Sequence, residues 1–147
     1  MQDFDMTLIS IHTSGQWRGS VAELALKVRP IFKELVPLAV EHDIMIAIVT
    51  FSCQVQLISS VIHHEFPLIA NRITIRADDN SWGYQGGGSI DGKQSHMASA
   101  AEELGEATGK LITRNSTLLI DDDANNIQVA LQNKVRAIRF IPDDLQK

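Results

Sequence analysis

Cysteine is almost missing from this chain. Cys53 is the only one in 147 residues, so no intrachain disulfide can form and no multi-cysteine zinc site exists. A basic surplus is also lacking, since the formal net charge is -5. That excludes a broad, non-specific grip on nucleic acid, which depends on Lys and Arg against phosphate. No apolar run approaches the ~20 residues needed to cross a bilayer. The start carries no basic stretch followed by an apolar core, so no signal peptide is visible. The expected location is cytoplasmic, with no membrane partner.

What remains is ordinary globular material. Hydrophobic residues make up 44% and charged residues 21%, which suits one soluble domain with a full core. The chain alternates between two periods. Apolar, β-branched runs at Ile44–Thr50, Ile73–Ala77, Thr117–Ile120 and Val135–Ile141 predict strands, the first of them buried on both faces. Pro142 is expected to stop the last one. A further strand is expected at the very start, ending at Asp3 and Asp5, although only Met1 and Gln2 precede Asp3.

Helical signals lie between the strands. Ser20 and Glu23 have the spacing of a capping box, predicting a short helix to about Lys27. Pro30 suits the first turn of the next helix, in which Ile31, Leu35 and Leu38 recur, with Phe32, Val36 and Ala39 beside them. Pro37 predicts a kink there. Val55, Ile58 and Ile62 mark a third helix. From Lys93 a fourth turns Met97, Ala98, Ala101 and Leu104 towards the core and ends at Gly105 or Gly109. Ile127, Ala130 and Leu131 mark a fifth. Alternating strands and helices predict an α/β domain over 1–147, three-layered, with a mainly parallel five-stranded sheet whose first strand is truncated. In such sheets ligands bind beyond the C-terminal ends of the strands.

Four chemical features fall at that edge. Asp3-Phe4-Asp5-Met6-Thr7 opens the chain, Thr50 follows the second strand, Lys93 starts a helix, and Asp121-Asp122 ends the fourth strand. Side chains two apart on a strand point the same way, and crowded carboxylates need a cation, a proton or a task between them. Acidic clusters hold a hard divalent cation such as Mg²⁺ through oxygen. The cation, a lysine and a hydroxyl together stabilise a transferring phosphoryl group. One carboxylate is then left as nucleophile or proton donor.

This ordered set resembles the haloacid dehalogenase-like superfamily of phosphohydrolases over nearly the whole chain. The D-x-D-x-T signature is Asp3, Asp5 and Thr7. The strand ending in Ser or Thr is MIAIVT, ending at Thr50. The lysine motif is Gly92-Lys93, here followed by His96. The strand ending in acids is LLIDDDANN, with Asp122 and Asn126 at the family's spacing. The resemblance implies that Asp3 attacks phosphorus and that Asp5 protonates the leaving group and then activates water. It implies Mg²⁺ held by Asp3, the Asp5 backbone carbonyl and an acid at 121 or 122, with Asp122 favoured as the direct ligand. Thr50 would bind phosphoryl oxygens and Lys93 would neutralise charge.

Neither usual place for a cap domain has room, so the chain looks like a capless member, similar to the magnesium-dependent acid phosphatases. An open site suits a large phosphorylated substrate, or a second subunit that completes the pocket. Trp17, Arg18, Trp82 and Tyr84 are the expected rims. The alternative is an inactive binding or regulatory module on the same fold.

Other features have plainer readings. Asp78-Asp79 is expected in a solvated turn, His63-His64 at an exposed helix end, and Cys53 as an inert core thiol. Gly86-Gly87-Gly88 does not meet the phosphate-loop pattern, because Gln94 follows the lysine, and is expected to be flexible chain. His96 lies one helical turn past Lys93, where it could support it.

Overall fold

A computed structural model describes residues 1–84 and 88–141. The expectations for Gly86, Gly87 and Pro142 lie outside the described residues. The order of elements begins with a wide turn at Phe4–Leu8, followed by α1 (Val21–Ala25), α2 (Pro30–Glu41) and β1 (Ala47–Val49). Next come α3 (Val55–Glu65), β2 (Thr74–Arg76), α4 (Gly88–Asp91) and α5 (Gln94–Thr108). The chain closes with β3 (Leu118–Asp121), α6 (Ala124–Gln132) and β4 (Arg136–Arg139).

The domain is α/β, and its strands are short and parallel. β1 pairs with β2, and β3 pairs with β4. Of the expected five strands, four short ones are seen among the described residues, in these two pairs, and the segment Met1–Asp3 runs between them with backbone bonds to Ala47, Val49 and Ile120. Gln2 forms parallel bridges to Ile48 in β1 and to Ile120 in β3. The first strand goes no further because Asp3 and Phe4 enter the wide turn at once. There Leu8 N–H bonds back to Asp3 O and Ile9 N–H to Phe4 O, and Met6 has a φ of 59°. The Arg29 side chain steadies this turn by donating to the Thr7 and Met6 carbonyls, at 3.0 and 3.1 Å.

Alternation along the strands sends side chains to opposite faces. Ile48 joins a core with Phe4, Leu24, Phe32, Ile58 and Ile62, beneath α1 to α3. Ala47, Val49 and Leu119 join a second core with Met97, Ala100, Ile127 and Ala130, beneath α5 and α6. Helices therefore cover both faces of β1, which is buried throughout, whereas β4 is largely exposed, with Ile138, and Ile141 beyond it, open to solvent.

Local signals place most helix ends. Ser20 accepts the Glu23 N–H and caps α1. Gly109, with a φ of 71°, ends α5 in the left-handed conformation that glycine reaches without penalty. Three expectations need correction. α2 buries Phe32, Val36, Ala39 and Val40, while Ile31, Leu35 and Leu38 are exposed; the apolar stripe is one residue out of phase from that expected. α2 also runs without a break through Pro37, which sits on its exposed side. The carbonyl freed there can face water. In α5, His96 and Ala100 are buried while Ala98 is exposed, and Leu131 of α6 is exposed too. Among the described residues, no helix is long and apolar enough to cross a membrane.

Candidate functional site

The C-terminal ends of β1 and β3, with Asp3 between them, open into a cleft of about 410 Å³. It is lined by Asp3, Asp5, Thr50, Lys93, Asp121 and Asp122, among others. All six residues expected to carry chemistry therefore meet in one place. Larger cavities of about 720 and 460 Å³ lie elsewhere and lack these acids. Volume does not select the site; the collected charge does.

At the centre is a buried ion cluster. Lys93 is 2% exposed and Asp121 is fully buried. The Lys93 ammonium lies 2.5 Å from Asp3 Oδ1 and 2.8 Å from Asp121 Oδ2. Asn126 donates to the same Asp121 oxygen at 3.1 Å, and the Asp123 N–H donates to the other at 3.0 Å. Gly92 sets up the entry of Lys93, because its φ of 61° lets the chain turn into α5.

Thr7 ties the two acidic segments together. Its hydroxyl accepts the Asp122 N–H and lies 3.1 Å from Asp122 Oδ1 and 3.4 Å from Asp3 Oδ2. Having one proton, the hydroxyl donates to one carboxylate at a time. Asp5 points to a different partner. Its Oδ1 accepts both the N–H and the hydroxyl of Thr13, at 2.9 and 2.8 Å. Gln54 in turn donates to Thr13 Oγ1 and Ser52 Oγ. Thr50 Oγ1 accepts the Ser52 N–H at 3.1 Å, which leaves its own O–H to donate into the cleft.

Burial pushes the Asp3 carboxyl up to about 7, with Lys93 opposing that rise and Asp121 adding to it. Burial by itself would lower the Lys93 ammonium, yet Asp3 and Asp121 together hold it above its ordinary value. The two acids thus hold Lys93 charged, while Asp3 is pushed towards its neutral form chiefly because burial disfavours its charge.

Asp3, Asp121 and Asp122 each offer a carboxylate oxygen, and these lie within 4.8 Å of one another. Three carboxylates against one ammonium leave an excess of negative charge, and all-oxygen donors match a hard divalent cation. The three acids could therefore hold a hard cation through oxygen, the donor type that Mg²⁺ takes.

The expected rim residues Trp17, Arg18, Trp82 and Tyr84 are not among those lining the cleft. Trp17 packs against the core beneath α1 to α3, with its indole N–H donating to Ser20 O and its backbone N–H to Gln54. Arg18 is exposed. Trp82 and Tyr84 pack edge-on against His96. Met6, His12 and Gly15 line the cleft in their place.

Cys53 is exposed rather than in the core, because it leaves β1 in the loop before α3. Asp78 lies in a bend and is partly exposed, and beyond the expected turn its carboxylate also accepts from buried His96 at 2.6 Å. Asp79 does bind its own turn, through Ser81. His63 and His64 are exposed at the end of α3, as expected. Thr13, Gln54 and Arg29 were not legible as site residues. Nothing in their spacing links them to Asp5 or to the wide turn. No family model matches this chain, and neither do curated proteins or solved structures.

Proposed function

We propose that this chain is a capless, Mg²⁺-dependent phosphohydrolase of the haloacid dehalogenase-like type. It would work through an aspartyl-phosphate on a five-stranded Rossmann-like plan, with Met1–Asp3 as the central strand. The observation that carries this reading is the meeting of Asp3, Asp121 and Asp122 around the Lys93 ammonium, beside Thr50 and Asp5 in one cleft.

In the first step an Asp3 carboxylate oxygen attacks phosphorus. The bond from phosphorus to the ester oxygen breaks, and Asp5 gives that oxygen its proton. Both Thr13 bonds fall on Asp5 Oδ1, so Oδ2 is the oxygen that would hand over the proton. In the second step Asp5 takes a proton from water, the water oxygen attacks phosphorus, and the Asp3–phosphorus bond breaks to release inorganic phosphate. Lys93 holds the nucleophile in place and balances charge on the transferring group. The Thr50 hydroxyl donates to a phosphoryl oxygen.

Mg²⁺ would be held by Asp3, the Asp5 backbone carbonyl, and Asp122 with Asp121 in support. Bound there it supplies Lewis-acid neutralisation of the phosphoryl oxygens. Asp121 already serves Lys93 and Asn126, whereas partly exposed Asp122 opens towards solvent, which supports Asp122 as the direct ligand. A cleft without a cap domain would suit a large phosphorylated substrate or completion by a second subunit.

A non-catalytic module of the same plan is favoured by one observation: the segment carrying Asp3 is bridged to β1 and β3 at Gln2, and Asp3 itself adds one backbone bond, to Ile120 O. Hydrolysis of p-nitrophenyl phosphate with and without Mg²⁺ separates the two readings. The phosphatase reading expects Mg²⁺-dependent turnover that Asp3→Asn abolishes. Equal activity in wild type and Asp3→Asn would sink it.

A further inference from the structure

His96 is fully buried, and the proposed chemistry makes no direct use of it. Its Nε2 lies 2.6 Å from Asp78 Oδ1. A carboxylate can only accept, so this nitrogen carries the ring proton. Among the described residues the other nitrogen, Nδ1, is buried with no hydrogen-bond partner. The rings of Phe51, Trp82 and Tyr84 meet the imidazole edge-on, with centroids 5.1, 4.8 and 4.7 Å away. A site filled for packing alone would be better served by phenylalanine, because an unpartnered buried nitrogen costs free energy. What histidine adds is a donor aimed at Asp78.

The position of His96 gives that donor a purpose. His96 lies one turn after Lys93, and the Met97 N–H bonds to the Lys93 carbonyl at 2.9 Å, closing the turn. The Phe51 ring touches His96 on one side and has the Lys93 ammonium 5.7 Å from its centre. Phe51 also lines the cleft beside Thr50. Asp78 belongs to the segment after β2, a different part of the chain.

We propose that His96 is a positioning residue for Lys93. Its bond to Asp78 and its edge contact with Phe51 fix the first turn of α5 and hold the Lys93 ammonium between Asp3 and Asp121. Only the kinetic consequence rests on the phosphatase reading; the placement of Lys93 does not.

The test follows Lys93 directly, by the NMR signal of its ε-carbon in protein labelled with ¹³C-lysine, assigned by its loss in Lys93→Arg. Wild type, His96→Phe and His96→Gln are compared, each checked for folding by circular dichroism. His96→Phe keeps a ring and loses the donor; His96→Gln restores a donor near Nε2. In His96→Phe the Lys93 signal should move towards those of exposed lysines, and kcat for p-nitrophenyl phosphate with Mg²⁺ should fall about tenfold with KM within about twofold. His96→Gln should recover much of both. A Lys93 signal unmoved in folded His96→Phe overturns the proposal, as does His96→Gln behaving like His96→Phe. If His96→Phe fails to fold, Asp78→Ala removes the acceptor at a partly exposed site and is read in the same way. If wild type shows no Mg²⁺-dependent turnover, the phosphatase reading fails, while the Lys93 signal still decides this one.

Discussion

Lys93 and Asp3 stand ninety positions apart in the chain and meet at 2.5 Å in the cleft. Asp121 completes the contact from a third segment. The cluster joins the start of the chain, the head of α5 and the end of β3, so its integrity reports on both stability and chemistry.

Removing the lysine should be costly. Lys93→Met leaves Asp3 and Asp121 buried without a countercharge, and breaking one side of a buried pair costs about 3–5 kcal/mol. Urea unfolding at pH 8 should show that loss, and millimolar Mg²⁺ should recover part of it by taking over the charge. A variant as stable as wild type without metal would show that Lys93 is not neutralising the pair.

The pH dependence of metal binding follows from Asp3. Burial raises its folded pKa to about 7 from an ordinary 3.8. A carboxyl raised on folding adds stability that is complete below its unfolded value and is lost as pH climbs through the folded value. Metal-free protein should therefore lose this contribution between about pH 4 and pH 7. Mg²⁺ needs the ionised form, so the rise in Tm on adding Mg²⁺ should be small near pH 5 and grow towards pH 8. A Tm increment independent of pH would count against Asp3 as a ligand.

Asp5 is assigned a proton rather than charge alone. Asp5→Asn keeps an acceptor for Thr13 but transfers no proton, a loss of about 10²–10⁴ in rate where protonation is needed. The loss should be severe for an alkyl phosphate and much smaller for p-nitrophenyl phosphate, whose leaving group departs unprotonated. Equal losses on both substrates would remove Asp5 from the acid role.

Gly92 is predicted to resist substitution. Its φ is 61°, and a Cβ there would lie 2.9 Å from Val129 Cβ in α6. Gly92→Ala combines left-handed strain of about 1–3 kcal/mol with that overlap. Thermal unfolding should show the loss, and displacement of the adjacent lysine should lower kcat. A neutral Gly92→Ala would mean that the turn into α5 relaxes freely.

Much of the layout could be read from residue order because the signals are local. Ser20 caps its helix, Gly109 ends another, and the β-branched runs form strands, although β4 is largely exposed. The six cleft residues were also legible, because a parallel arrangement delivers strand ends to one edge. The misread positions all depend on neighbours distant in sequence. Ile31 and Phe32 are equally apolar, and only the wall formed by α1, α3 and β1 decides that Phe32 faces inward. Cys53 reads as apolar but leaves its strand on the solvent side.

The sequence by itself determined an α/β domain with paired acids at its start, a lysine at the head of a helix and acids at a strand end. Those are matters of residue type and period. Only the tertiary structure decided that Asp121 rather than Asp122 holds Lys93, that Asp5 turns to Thr13, and that Asp78 reaches His96. Each of these choices rests on a side-chain direction fixed by packing and hydrogen bonds across the fold, and one chain position carries no record of which distant group it will face.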